Sequence, residues 1–339
     1  MTLLIIVLLL AFCFDFINGF HDAANAVATI VSTRILTPFG AVLWAAVFNF
    51  IAFFIAKYII GEFGIADTVS KIVVEEYITL PIILAGLLAA ISWNLITWFF
   101  GIPSSSSHTL IGGFAGAAVM SYWSFGVVHI GIVAKIAAFI VLAPFIGFLI
   151  SLILATVVYW SFRRANPNKT KKWFKYAQLV TSGLFCIGHG LNDSQKVMGI
   201  IAAALYAGYQ QGLPLGIADI TNIPDWVAFM CFTVIALGTM LGGWRIIKTM
   251  GSRITKITNI EGAIAEGAGA LTLFLTEILK IPVSTTHTIT GAIIGAGAVK
   301  RLSAVRWGIT KQLLVAWLLT IPVSALMAAG FYMLVNLFL

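Results

Sequence analysis

The stretch GIPSSSSHTLIGGFAGAAV, residues 101–119, recurs later in the chain as KIPVSTTHTITGAIIGAGA, residues 280–298. Eight of the nineteen aligned positions are identical, among them a proline, a serine, a histidine and two glycines. In both copies the proline is followed by a run of hydroxyl side chains and then by the histidine. A match of this length indicates an internal repeat, although a single matched motif can arise by chance.

A second pair of related stretches lies in the same order along the chain. NGFHDAANAVA (18–28) aligns with HGLNDSQKVMG (189–199), so that Asp22 falls on Asp193. The offsets of the two pairs, 171 and 179 residues, are similar, which indicates that the whole chain is a duplication.

The composition places this duplication in a membrane. Hydrophobic residues make up 60% of the chain and charged residues 9%, and the mean hydropathy is +1.04, whereas a soluble domain carries about a quarter charged residues. Apolar stretches of about twenty residues recur, each long enough to cross a bilayer core as a helix. The alternating pattern of a membrane β-barrel is not seen. The predicted membrane segments are 1–33, 38–60, 78–100, 104–121, 131–160, 177–210, 226–244, 258–279, 284–299 and 311–338.

These segments predict an all-α polytopic membrane protein with five crossings in each half. An odd number of crossings inverts the second copy relative to the first. Inverted repeats with interrupted helices are typical of secondary transporters, whose sites lie near the bilayer midplane. We therefore expect interruptions near 18–25 and 188–196, and short half-helices that begin in the two hydroxyl runs.

A basic linker separates the two halves. The first repeat is predicted over 1–160, the linker over 161–176 and the second repeat over 177–339. The linker contains RRANPNKTKKWFK (163–175), with six Lys or Arg residues. In so apolar a chain this cluster favours a cytoplasmic loop over nucleic-acid binding. Its aromatic side chains favour a helix on the membrane surface.

The distribution of Lys and Arg sets the expected orientation. With the linker inside, the inner loops hold fifteen of the twenty basic residues and the outer loops hold four. This asymmetry places both termini outside. We expect a multi-pass protein of the plasma (inner) membrane.

The repeated aspartates are the first candidate site residues. A carboxylate at bilayer depth costs several kcal/mol unless it is paired, solvated or bound to a cation. A structural carboxylate bonded to backbone is the alternative, but two related aspartates beside amide side chains favour a cation site. Gly19, Gly188 and Gly190 are expected to let the backbone open and expose carbonyl ligands.

The hydroxyl runs supply the complementary half of the site. Each follows a proline, which ends a preceding helix, and Ser or Thr is a good N-cap for a new one. A helix N-terminus carries free N–H groups and suits an oxyanion. Hydroxyls that bond back to their own helix are the alternative, but two copies in register favour an anion site. His108 and His287 are expected to support the runs by packing or orienting them.

The charge of the motifs points to coupled transport. A phosphate-like anion would face two carboxylates and one nearby lysine, Lys196, so cations must enter with it. Na⁺ suits the oxygen ligands on offer, and protons that load the carboxylates are the other solution. Carboxylates that accept hydrogen bonds from protonated phosphate favour phosphate over sulfate. The carboxylates disfavour an anion channel. An intramembrane hydrolase would use Ser106 or Ser107 with a histidine, or the two aspartates as a pair. It is disfavoured because such sites are rarely built from adjacent residues.

The motifs GFHDAANAVAT, GHGLNDSQKVMGI, PSSSSHT and PVSTTHT resemble the inorganic phosphate transporter (PiT) family. The resemblance covers nearly the whole chain. It implies an inverted-repeat helical fold and phosphate symport driven by Na⁺ or H⁺. It also implies that Asp22 and Asp193 are the signature aspartates, with Asn25 and Gln195 as amide ligands.

Together these arguments define a candidate site without enzymatic activity or cofactor. The candidate phosphate ligands are Asp22, Asn25, Ser104, Ser105, Ser106, Ser107, Asp193, Gln195, Ser284, Thr285 and Thr286. The candidate Na⁺ ligands are Asp22, Asn25, Ser105, Asn192, Asp193, Ser194, Gln195, Ser284 and Thr286. The candidate supporting residues are His21, His108, Thr109, His287, Thr288 and Lys196. The expected partners are inorganic phosphate, Na⁺ or H⁺ and the lipid bilayer, with a homodimer left open and Glu261, Glu266 and Glu277 unassigned.

Overall fold

The computed structural model describes residues 1–338, apart from the side chain of Ser252. This part of the chain forms twelve α-helices, with short 3-10 and π segments between them and no β-strand beyond one isolated bridge. The helices are α1 (Thr2–Ser32), α2 (Pro38–Ile55), α3 (Gly64–Ser70), α4 (Leu80–Phe100), α5 (Ser106–Tyr122), α6 (Ile130–Ser161), α7 (Pro167–Gln210), α8 (Asp225–Leu241), α9 (Trp244–Lys248), α10 (Asn259–Ile278), α11 (Thr285–Ala298) and α12 (Trp307–Val335). The all-helical prediction is confirmed.

Each of the ten predicted segments contains a helix, and the starts of the two short ones follow the expected capping. Ser105 accepts a hydrogen bond from the backbone N–H of His108 at the start of α5. Ser284 accepts one from His287 in the same way at the start of α11. The short helices α3 and α9 were not predicted, because segments of seven and five residues are too short to show a helical periodicity of apolar residues.

Not every helix is long and apolar enough to cross a bilayer. Five helices meet that test: α1, α2 with its π-helical extension, α4, α6 and α12. The bent pair of α8 and α9, with an angle of 64°, would make a sixth. Helices α5 and α11 have only 17 and 14 residues. The ten crossings therefore stay a prediction.

The expected interruptions of α1 and α7 are wrong. Both helices run unbroken through residues 18–25 and 188–196. A Cβ atom at Gly19 would lie 2.4 Å from the carbonyl oxygen of Ile235, and one at Gly190 would lie 2.8 Å from that of Asn49. The glycines therefore serve close helix crossings, of α1 with α8 and of α7 with α2, rather than a local opening.

The two halves of the chain are intertwined. Helix α5 packs on α12 and helix α11 packs on α6, so each helix that begins in a hydroxyl run contacts the last helix of the other half. The order of helices in α1–α6 recurs in α7–α12, as a duplication predicts. Helix α7 begins within the predicted linker, at Pro167, and continues into the second half. The division of the chain at 161–176 stays a prediction. The last residue of the predicted second repeat, Leu339, lies outside the described residues.

Close packing of α11 on α6 gives a first testable prediction. A Cβ atom at Gly291 would lie 2.0 Å from the carbonyl oxygen of Pro144. We expect Gly291→Ala to destabilise the protein by about 1–3 kcal/mol, because the two helices must move apart. Thermal unfolding of the purified protein in detergent measures this.

Gly330→Ala is the matched control for that substitution. Gly330 lies within α12 and has open space around its Cα. Since alanine is the better helix former by about 1 kcal/mol, this variant should melt at or above the wild-type temperature. Equal melting of Gly291→Ala and wild type would contradict the packing argument.

Candidate substrate and ion site

The four predicted motifs meet at the centre of the molecule. Helices α1 and α7 bring Asp22 and Asp193 together, and the N-termini of α5 and α11 approach the same point. Asp22, Asp193, Ser106 and Thr285 are each no more than 2% exposed. The site is therefore shielded from solvent.

The two aspartates accept hydrogen bonds from hydroxyl groups of both runs. Ser106 Oγ donates to Asp22 Oδ2 at 2.9 Å. Thr285 Oγ1 lies 3.5 Å from Asp22 Oδ2 and 3.4 Å from Asp193 Oδ2. One hydroxyl thus lies between the two carboxylates, and a single proton cannot serve both.

The two hydroxyl runs cross each other with matching contacts. Thr286 Oγ1 donates to the carbonyl of Ser104 at 3.1 Å. Ser107 Oγ reaches the carbonyl of Val283 at 3.5 Å. The second contact repeats the first with the halves exchanged, since the residues correspond at the offset of 179. The crossing supports the equivalence of the two runs that the sequence predicted.

The position three residues beyond each aspartate faces the hydroxyl run of the other half. Asn25 Nδ2 donates to Thr286 Oγ1 at 2.8 Å and to Thr285 Oγ1 at 3.2 Å. Lys196 Nζ donates to Asp193 Oδ1 at 2.7 Å and to Ser107 Oγ at 2.5 Å. The lysine, predicted as a supporting residue, contacts two candidate ligands directly.

Each aspartate also has a histidine partner. His21 Nδ1 lies 2.6 Å from Asp22 Oδ1, and its Nε2 lies 3.1 Å from Thr97 Oγ1. His189 Nε2 lies 3.3 Å from Asp193 Oδ2. Oxygen atoms of the two aspartates and a ring nitrogen of His189 all lie within 4.8 Å of one another, a spacing suited to one shared cation.

His189 was missed by the sequence reasoning. It stands four residues before Asp193, which places the two side chains on one face of a helix, so the signal was present. Its Nδ1 lies 3.1 Å from Asn49 Oδ1, and Asn49 donates to Thr239 Oγ1 at 3.0 Å. This chain of contacts from α2 and α8 fixes the ring beside the aspartate.

Gln195 does not join the two aspartates. Its Oε1 accepts from the backbone N–H of Ile65 at 3.0 Å, and its Nε2 donates to Glu277 Oε1 at 2.6 Å. Gln195 therefore ties α7 to α3 and α10. Asn192 and Ser194 are wholly buried, and their side-chain polar atoms have no hydrogen-bond partner among the described residues.

Several residues of the hydroxyl motifs serve the helices themselves. Thr109 and Thr288 donate back to the carbonyls of Ser105 and Ser284, at 2.8 and 2.9 Å. For this pair the alternative of bonding to their own helix holds.

The two motif histidines pack behind the runs, as expected. The rings of His108 and His287 lie 5.0 Å apart, and His287 stacks on Trp317 at 4.0 Å. Trp317 Nε1 donates to the carbonyl of Pro103 at 3.0 Å. Through these contacts α12 supports the start of α5.

A second acidic group remains outside the predicted site. Glu266 of α10 is wholly buried and accepts hydrogen bonds from Thr29, Gln178 and Thr181. Glu261 lies at the start of the same helix and pairs with Lys300. Sequence reasoning noted these carboxylates without assigning them, because their partners come from distant parts of the chain.

The chemistry of the centre is that of binding rather than bond cleavage. It offers hydroxyl and ammonium donors for an oxyanion, carboxylates for cations and two helix N-termini. Ser106 donates to an aspartate, and neither ring nitrogen of His108 has a hydrogen-bond partner in the described part of the chain. No Ser–His pair of the kind a hydrolase needs is formed among these motif residues.

A helical membrane fold around a buried site of this kind defines a transporter of a small anion. The model of the Phosphate transporter family matches residues 18–328, so the chain belongs to that family. A probable low-affinity inorganic phosphate transporter of Rhizobium meliloti is 48% identical, over 99% of this chain and 97% of its own length. One of Bacillus subtilis is 43% identical, over 99% and 98%.

A solved structure has the same fold over its whole length. It is described as the sodium-dependent phosphate transporter, with a TM-score of 0.89, 26% identity and complete coverage of both chains. The family that the sequence motifs indicated is confirmed, and so is the prediction that the chain is a transporter rather than an enzyme.

Proposed function

We propose that the chain is a Na⁺-coupled symporter of inorganic phosphate that works by alternating access. The observation that carries this is the pair of buried carboxylates, Asp22 and Asp193, which meet around Thr285 with His189 beside them. The solved relative described as sodium-dependent supports the choice of ion.

The charge balance of the site explains why cations and anion travel together. Two carboxylates and the ammonium of Lys196 leave one net negative charge at the centre. Phosphate would add one or two more in a site that is almost wholly buried. Like charges interact strongly where water is excluded, so phosphate binds well only when cations have already reached the aspartates.

The hydroxyl runs form the proposed phosphate cradle. Ser106, Ser107, Thr285 and Thr286 lie at two helix N-termini that approach each other. Lys196 touches Ser107, so its ammonium reaches the cradle as well. The neighbouring aspartates can accept hydrogen bonds from protonated phosphate, which sulfate does not offer at neutral pH.

The topology proposed for transport has two inverted halves, 1–160 and 177–339, with both termini outside. The basic start of α7 then lies at the cytoplasmic surface of the plasma membrane. The repeated order of helices and the exchanged contacts of the two hydroxyl runs support the two related halves. The excess of Lys and Arg in the inner loops supports the orientation. Rocking of one half against the other would open the occluded site to either side.

Uptake of ³²P-phosphate into proteoliposomes tests the proposal. We expect an inward Na⁺ gradient to drive uptake, a pH gradient alone to drive little, and excess unlabelled sulfate not to compete. Uptake that follows only the pH gradient would replace Na⁺ by protons as the coupling ion. Sulfate uptake without phosphate uptake would contradict the proposed substrate.

A further inference from the structure

A carboxylate that the central site does not use lies on the same helix. Asp15 is wholly buried in α1, and neither of its oxygens has a hydrogen-bond or ion-pair partner in the described part of the chain. An ionised carboxylate buried in this way is very costly unless a cation accompanies it. The contacts of Asp22 and Asp193 leave this group unexplained.

The next polar side chain on the same face of α1 also lacks a partner. Asn18 is 3% exposed, and its Oδ1 accepts no hydrogen bond from any described residue. Positions 15, 18 and 22 succeed each other along one helix face. Oxygen ligands therefore continue from the central site towards the N-terminus of α1.

Helix α4 brings a third unpartnered group to the same level. Asn94 is wholly buried, and neither its Oδ1 nor its Nδ2 is hydrogen-bonded within the described residues. Since α1 and α4 have their N-terminal halves in one apolar cluster, they run in the same direction. His21 of α1 contacts Thr97 of α4. Asn18 stands three residues before His21, and Asn94 stands three residues before Thr97. By this register, Asn94 and Asn18 stand at the same level along the two helices.

In the part of the chain that the structure describes, no positively charged side chain is paired with Asp15. The groups that act on it electrostatically are Asp193 on α7 and the thiol of Cys231 on α8, and α4 has no ionisable side chain. On α7, Lys196 is bonded to Asp193, and on the π-helical extension of α2, Lys57 is paired with Asp225. An ionised Asp15 would therefore have no counter-charge from the described residues, so a bound cation would have to supply it.

We propose that Asp15, Asn18 and Asn94 form a separate cation site that binds one monovalent, oxygen-preferring cation, Na⁺. One carboxylate and two carboxamide oxygens are hard ligands, and a single negative charge is balanced by a monovalent ion. The site lies on the N-terminal side of Asp22, where it would hold an ion next to the central site. Only its part in transport rests on the proposed symport function.

This site belongs to one half of the chain. At the offset of 171, Asp15 and Asn18 correspond to Cys186 and His189. A thiol and a histidine that already contacts Asp193 cannot supply the same oxygen ligands. The extra cation site is therefore present in only one half of a protein whose halves are otherwise related by duplication.

Equilibrium binding of ²²Na⁺ tests the site directly in detergent at constant ionic strength. The background is the Asp22→Asn/Asp193→Asn variant, which lacks the central carboxylates. We expect this background variant to bind Na⁺ still. The further isosteric change Asp15→Asn should then reduce the amount bound by one ion per chain. The same change at exposed Asp219 is the matched control and should leave binding unaltered.

The outcomes separate this inference from the proposed function. Absence of ²²Na⁺ binding in the background variant, or binding that survives Asp15→Asn, would overturn the site. Transport that follows only a pH gradient would overturn Na⁺ coupling and leave the binding result intact. In the wild-type background we expect Asp15→Asn to raise the Na⁺ concentration for half-maximal uptake about tenfold, the equivalent of one decade in affinity.

Discussion

Asp22→Asn and Asp193→Asn should each reduce Na⁺-driven phosphate uptake by about 100-fold or more, since loss of a buried charge partner of about 3 kcal/mol corresponds to two decades in affinity. Both substitutions keep the shape of the side chain and the acceptor at Oδ1, so packing is preserved. They remove the negative charge that attracts the cation. Because Thr285 lies between both carboxylates, neither aspartate is expected to replace the other.

The measurement is initial-rate uptake in proteoliposomes, with reconstituted protein quantified in each sample. Asp219→Asn is the matched control, because this carboxylate is exposed on a loop and its pKa is held below its ordinary value by hydrogen bonds from Thr221. It should transport like wild type. Near-normal uptake by either central variant at an Na⁺ concentration that limits the wild-type rate would show that the carboxylate is not the cation ligand.

The aspartates and hydroxyl runs could be predicted because they are repeated. A single buried aspartate such as Asp22, or a single serine run, has an ordinary structural explanation. The presence of a second copy of each disfavours that explanation. The N-caps Ser105 and Ser284 followed from proline and hydroxyl chemistry, which acts within a few residues. Local rules of this kind transfer well from sequence to structure.

The glycines show where local reasoning failed. The sequence predicts an opening of the backbone at Gly19 and Gly190. A glycine also lets two helices touch, however, and the sequence does not distinguish the two uses. The contact partner, Ile235 in one case and Asn49 in the other, lies in the opposite half of the chain. Such a partner is known only from the folded structure.

The role of Gln195 was predicted wrongly, and that of His189 was missed, for a related reason. Both stand near Asp193 in sequence, but successive residues of a helix point in different directions. Continuous α7 turns Gln195 towards Ile65 and Glu277, and turns His189 towards the aspartate. Because the backbone was expected to open at this point, helical spacing could not be used to decide whether Gln195 or His189 faces the aspartate.

Lys196 marks the point at which the two halves differ most in chemistry. The corresponding residue in the first half is Asn25, and both contact the hydroxyl run of the opposite half. The lysine alone brings a positive charge, which is balanced by Asp193 at 2.7 Å. It is 2% exposed, so its ion pair is almost free of screening by water.

Lys196→Asn, which copies the residue of the first half, should therefore impair transport strongly. Removing one partner of a buried ion pair costs about 3–5 kcal/mol, and we expect a lower melting temperature in Na⁺-free buffer. The KM for phosphate should rise about tenfold or more, because the cradle loses its positive charge. Dependence on Na⁺ should become steeper, since another cation must neutralise Asp193.

The double variant Lys196→Asn/Asp193→Asn separates the two roles of the lysine. With no unpaired charge left, its melting temperature should return towards the wild-type value, while phosphate uptake stays low because Asp193 itself is lost. A melting temperature that stays at the level of Lys196→Asn would mean that the lysine stabilises the protein through contacts other than its ion pair with Asp193. A normal KM for phosphate in Lys196→Asn would mean that the anion is held by hydroxyls and helix N-termini alone, and that the two halves contribute to the cradle on equal terms.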